Sequence, residues 1–363
     1  MEAVEAFPIS VKAEEKLKGG TFTYNYYHTV LVRATCDGVE GWGEAMTRAE
    51  PRPTMILAKE MAKLFVGKQL EGPSEAWNAV WRDLRLRGHT RGTDVEALSG
   101  LEMALYDCKG KLEGKPLNKL LSRSPKARVG AYAGSLFESR GPLEDQVERV
   151  LAAGLAGAKV KIGFGPRKDR QLLKLVRNLL GDGMLVADAN CAYDVKTARR
   201  ACTLFADLDL AWLEEPLLSD DWDGYEKLRA RNPVRIGAGE SWFAGDFGET
   251  VRRRLVNVLE PSVSRCGGIG TECAVGRVAA KEELGFSPMT GMNSAISLAA
   301  SIHVASTVPS IGVEFNPFAN PLQTELAVGI PEPKSGEMEV PSGPGLGIEV
   351  DMKFVRRAST QLP

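Results

Sequence analysis

Histidine is the scarcest residue type of this 363-residue chain, present only as His28, His89 and His303. None stands beside a nucleophile-elbow motif, so a Ser–His–Asp hydrolase is a poor reading; His303, inside AASIHVAST, is expected on a helix. Cysteine is also sparse. The six cysteines form no CxxC pair and lie mostly in apolar stretches, which points to reduced structural thiols rather than disulfides or metal ligands. No apolar run approaches bilayer length and no basic leader precedes one, so membrane association is not expected and a cytoplasmic location is. Charge of neither sign prevails: 46 Lys and Arg face 47 Asp and Glu, without long single-sign blocks. Nucleic acid is thereby disfavoured as a partner.

What is present is periodic. From Arg128 the apolar runs VGAYAG, AKVKIG, MLVADAN, LAWLEE, VRIGAGE, VNVLEP, FSPMTG and IGVEF alternate with amphipathic stretches such as LEDQVERVLAAG and KDRQLLKLVRNLLG. Eight strands joined by seven helices are predicted, and NPFANPLQTEL after the last strand has no helical period. This is an α/β chain with a (β/α)7β modified TIM barrel over residues 126–320. Residues 1–125 read as a separate α+β domain: HTVLVRATCDGVEGWGEAM alternates like an antiparallel hairpin and three helical patterns follow. Residues 321–363 are rich in Pro and Gly and are expected to pack back on that first domain.

Asp188, Glu214 and Glu240 each end a predicted strand, and each is 26 residues from the next. One βα unit fits that spacing, so the three acids are expected at one edge of one sheet. Converging carboxylates without His or Cys suit Mg²⁺ better than Zn²⁺. Lys159 and Lys161, two apart on the strand before Asp188, should point together into the barrel. Burial and a neighbouring cation both oppose protonation, which would let one of them act as a base near neutral pH.

GWGE, KVKIG, DAN at 188–190, WLEEP, GES around Glu240, CGGIG and VEFNP occur in an order and spacing that resemble the mandelate racemase/muconate lactonizing enzyme family of the enolase superfamily. Gly239 before Glu240, where the lactonizing subgroup would have Asp, favours the mandelate racemase subgroup. The resemblance implies Mg²⁺ on Asp188, Glu214 and Glu240, Lys161 as general base, and Lys159 beside it holding a substrate carboxylate. It also implies Asn190 next to metal and substrate, with Glu314 a protonated contact to the substrate carboxylate. KLKGGTFTYNYYHT resembles a mobile loop of the capping domain and TRAEPRP a second one. Phe22, Tyr24, Tyr26, His28, Arg48 and Arg52 would then line the pocket. Tyr132, at the end of the first barrel strand, is a candidate hydroxyl donor.

One part of the family pattern is missing. Racemases of this kind carry His on the seventh strand supported by Asp on the sixth; here the places hold Met289 or Asn293, and Ser262. Two-base racemisation is disfavoured, because an amide accepts no proton at neutral pH. The leading expectation is dehydration of an acid sugar, a small-molecule carboxylate, to a 2-keto-3-deoxy acid. Elimination is expected to be syn, with Lys161 returning its proton to the departing hydroxyl or Tyr132 or water supplying it. The other readings are a racemase or epimerase of a hydroxy or amino acid and a metal-binding pseudoenzyme. Arg265 is expected at a helix start on the surface, with a cation placed near the site as the alternative, and the chain as a homo-oligomer of unspecified number.

Overall fold

The computed structural model describes residues 1–69, 71–230 and 232–360. The chain opens with a three-stranded antiparallel sheet of β1 (Ala3–Lys18), β2 (Thr23–Cys36) and β3 (Val39–Met46), in that order. Asp37 and Gly38, both at positive φ, make the two-residue turn that returns β2 into β3, as Asp-Gly hairpins require. Helices α1 (Arg52–Ala62), α2 (Pro73–Arg87), α3 (Thr93–Leu112) and α4 (Leu117–Leu121) follow. The sheet meets α3 without side chains in between: a Cβ on Gly43 would collide with the Gly100 carbonyl, and one on Gly41 with the Ala104 carbonyl. Most of α3 is buried because it lies between its own sheet and the barrel. The stretch expected as a loop, residues 16–29, is strand except for a turn at 19–22. Pairing of β1 with β2 continues to Lys18 and Thr23, past an irregularity between Lys12 and Leu17.

The barrel strands are β4 (Arg128–Leu136), β5 (Gly157–Lys161), β6 (Met184–Asp188), β7 (Trp212–Glu214), β8 (Ile236–Ala238), β9 (Val258–Leu259), β10 (Gly285–Phe286) and β11 (Val313–Phe315). They pair in parallel in the order β10-β9-β8-β7-β6-β5-β4-β11. The two ends approach through Ile311 N donating to Phe286 O at 2.9 Å. Helices α5 (Leu143–Ala152), α6 (Pro166–Leu180), α7 (Val195–Phe205), α8 (Trp222–Arg229), α9 (Phe247–Arg252), α10 (Ile269–Lys281) and α11 (Ala295–Ala305) join successive strands. After β11 the chain enters only the one-turn α12 (Pro321–Thr324), so the closing helix is absent as the pattern predicted. Tyr132, Val186, Trp212 and Val258 fill the barrel interior.

Buried carboxylates of the first domain cap barrel helices. Glu44 on β3 accepts from the backbone N–H of Ser294 at 3.0 Å and from its hydroxyl at 2.6 Å, at the start of α11. Glu102 on α3 accepts from Ile269 N and Gly270 N at 2.7 and 2.9 Å, at the start of α10. These N–H groups have no partner within their own helices. The tail adds β12 (Ala327–Val328), β13 (Glu337–Glu339), β14 (Glu349–Val350) and α13 (Met352–Ser359). It contacts both parts: β13 pairs with β4, Leu346 N donates to Asp107 of α3 at 2.8 Å, and α13 packs on β1. Among the described residues, no helix is long and apolar enough to cross a membrane.

Candidate active site

The parallel register brings the chemistry to one edge. Lys161 is level with Asp188, and Asp188 with Glu214, across β5, β6 and β7. Glu240 lies two residues beyond the end of β8. All four are buried. The Lys161 ammonium donates to Asp188 Oδ2 at 2.5 Å and to Asn190 Oδ1 at 2.8 Å, while Lys159 reaches Glu214 Oε1 at 3.0 Å and Glu314 Oε1 at 2.8 Å. Arg48, from the loop after β3, places Nη2 2.5 Å from Glu240 Oε1, and Asn190 Nδ2 stands 3.4 Å from the same oxygen.

Charge here is strongly unbalanced. Glu215, Glu260 and Glu314 are buried beside the three strand-end acids, with Lys159, Lys161 and Arg48 as the facing cations. Burial, reinforced by the charge of Asp188, pushes Glu214 up to about 8. Glu240 moves the other way: burial would raise it, but Arg48 and then Lys161 hold it well below the usual carboxylate range. Burial alone would also lower Lys161, yet Asp188 outweighs it and the ammonium is held above its ordinary value. The expectation of a lysine depressed by burial and its neighbour is thus corrected, since the carboxylates next to it prevail over both.

Among the described residues no three acidic, His or Cys side chains stand as a ready-made metal site. The chain's own cations lie between the acids instead. The residues nonetheless suit a hard divalent cation. The donors are all oxygen, they crowd enough to raise Glu214, and Glu214 Oε2 is buried with no hydrogen-bond partner.

A small cavity of about 30 Å³ opens above this edge, with Lys161, Asn190 and Glu240 on the barrel side and Tyr24, His28 and Arg48 on the side of the first domain. Phe22 covers Lys161, its ring centroid 5.6 Å from Nζ. The hairpin tip is fastened to the barrel by Thr21 Oγ1, which donates to the Asn190 carbonyl at 2.7 Å, and by Lys18 N, which donates to Ser139 Oγ at 2.9 Å. His28 Nδ1 is 2.7 Å from Ser10 Oγ, and burial lowers its pKa against the pull of Glu50.

Five expected contacts lie away from the cavity wall, the first of them Arg52, which is exposed and paired with Glu50. Tyr132 is in the barrel interior, its hydroxyl 3.0 Å from Ser287 Oγ, because β4 continues to Leu136 and leaves it below the edge. Asn293 is fully buried against Ser264 and Ser262, at 3.1 and 3.4 Å, and the cavity wall near it is Met289 and Met292. Lys159 and Glu314 face each other beneath the cavity. Glu314 also accepts from Gly291 N at 2.9 Å. Arg265 is buried, not on the surface: Nε binds Glu96 at 2.9 Å and Nη1 donates to the Glu240 carbonyl at 2.8 Å. Nothing in the local sequence signals that contact, which depends on α3 passing under the loop.

The mandelate racemase/muconate lactonizing enzyme N-terminal domain profile matches residues 9–122, and the enolase C-terminal domain-like profile matches residues 142–354. The chain is 29% identical over 371 residues to the D-galactarolactone cycloisomerase of Agrobacterium fabrum, covering 96% of each. It is 30% identical over 326 residues to the arabinonate dehydratase of Saccharolobus solfataricus, covering 87% of this chain and 86% of that one. The 3,6-anhydro-D-galactonate cycloisomerase structure from Zobellia galactanivorans superposes with a TM-score of 0.89 at 25% identity, covering 98% of both chains. With both its sheet domain and its barrel matched, the chain belongs to the mandelate racemase/muconate lactonizing enzyme family and is an enzyme of the enolase superfamily.

Proposed function

We propose that the protein is a Mg²⁺-dependent acid sugar dehydratase, in which Lys161 removes the proton alpha to the substrate carboxylate. One observation carries the reading: the Lys161 ammonium lies on the wall of a cavity that also exposes Asn190 and Glu240, at the edge where Asp188 and Glu214 end their strands. Asp188, Glu214 and Glu240 would hold the metal. A divalent cation there would stabilise the negative charge developing on the substrate carboxylate and weaken the grip of Asp188 on the Lys161 proton. Asn190 orients the lysine, and the ring of Phe22 keeps water away from it. Dehydration is supported by the arabinonate dehydratase relative and by the methionines Met289 and Met292, which line the barrel wall where the family pattern would place a seventh-strand His.

A second reading has support in the two cycloisomerase relatives: a cyclic substrate rearranged without loss of mass. Both readings use the same alpha-proton removal. Incubating acid sugars and their lactones with enzyme and Mg²⁺, followed by semicarbazide and mass spectrometry, separates them. Dehydration gives a keto acid lighter by one water, whereas an isomerase leaves the mass unchanged. Lys161→Ala should abolish exchange of the alpha proton with D₂O, a loss of about 100-fold or more. Exchange at the parent rate would remove Lys161 from the mechanism.

A further inference from the structure

Removing the alpha proton completes only half of a dehydration, because hydroxide leaves poorly unless it is protonated on departure. Tyr132 is committed to Ser287 in the barrel interior and Asn293 is walled off, so neither reaches the cavity. His89 is exposed beside Asp94, and His303 is buried in α11 between Asn118 N and the Leu346 carbonyl. His28 is therefore the one imidazole on the cavity wall, a side chain that can carry a proton on either ring nitrogen.

Resting on the dehydratase reading, we propose that His28 is the general acid that protonates the departing beta-hydroxyl. Its Nδ1 is taken by Ser10 across the β1–β2 register, which leaves Nε2 for the cavity. A serine hydroxyl accepts from Nδ1–H both in the imidazolium and in the neutral ring that remains after Nε2 has given up its proton. The ring also stacks on Tyr26, with centroids 5.7 Å apart, so its plane is held from two sides.

The step balances. Lys161 takes the C2 proton, the electron pair of that bond forms the C2–C3 double bond, and the C3–O bond breaks as Nε2–H is transferred to oxygen. Water and an enol result. The enol becomes the 2-keto-3-deoxy acid, and the proton on Lys161 returns to His28 through solvent. With the base on the barrel side and the acid on the covering sheet, the two groups leave from opposite faces. The syn course expected from a single lysine gives way to an anti one.

The test uses the acid sugar that the parent enzyme dehydrates and its 3-deoxy-3-fluoro analogue, because fluoride departs without proton assistance. In His28→Asn and His28→Gln, loss of hydroxide should fall about 100-fold or more while loss of fluoride and exchange at C2 stay within about threefold of the parent. Equal decline of both eliminations would assign His28 to binding or packing, and no decline would remove it from the chemistry; either result overturns the proposal, as does syn loss by the parent. If the parent releases keto acid from no acid sugar, the dehydratase reading itself falls and the proposal with it.

Discussion

Glu240 shows how much a single side chain gathers here. Arg48 pairs with its carboxylate, Asn190 lies against the same oxygen, and Arg265 holds its carbonyl from below. Glu240→Gln should weaken Mg²⁺ binding by more than about 100-fold in calorimetry, the loss that outer partners of a metal alone already reach. Unchanged affinity would exclude it as a ligand. The three acids were legible because each ends an apolar run and the runs recur at one spacing. Tyr132 and Asn293 were not, since an apolar run does not tell how far its strand continues: β4 runs to Leu136, two residues past the apolar stretch that announced it. Arg48 was legible as a pocket residue, but its pairing with Glu240 joins positions 192 residues apart.

At the scale of elements, the eight strands and seven connecting helices of the barrel were readable because alternation and the 3.6-residue period differ sharply there. The first strand was not. β1 is an edge strand whose polar second half, KAEEKLK, buries only Ala13 and Leu17. The capping contacts were invisible for another reason: Glu44 lies 250 residues from the helix start it serves. Glu44→Ala should strip α11 of that cap and leave buried N–H groups unpaired, costing about 1–3 kcal/mol in denaturant unfolding. A change within error would mean that water replaces the carboxylate. On the hairpin tip, Thr21→Val removes the bond to the Asn190 carbonyl. A lost hydrogen bond of ~0.5–1.5 kcal/mol should raise KM about two- to tenfold with kcat less affected.

The whole molecule carries its interface charges in an unusual state. Burial pushes Glu102 up to about 8, and Glu272 of α10, bound to Ser301, up to about 8 as well. A carboxyl with a raised folded-state pKa binds its proton more tightly folded than unfolded. Its contribution is therefore complete below the unfolded value near 4.5 and is lost as pH rises toward 8. Glu272→Gln should flatten that decline, so that denaturation midpoints of parent and variant converge near pH 4 and separate above pH 8, each tenfold gain in proton affinity on folding being worth about 1.4 kcal/mol. Parallel curves would show that Glu272 does not titrate over this range.

The cavity of about 30 Å³ has room for little more than water, and an acid sugar is several times larger. Its floor is a closed ring of strands, while its roof is largely the β1–β2 hairpin, whose tip is fastened by the Thr21 and Lys18 hydrogen bonds. Entry is therefore expected to be a waiting time rather than a collision, limited by how often the roof lifts. In stopped-flow binding, the observed rate should level off at high substrate concentration, and the plateau should rise in Thr21→Val.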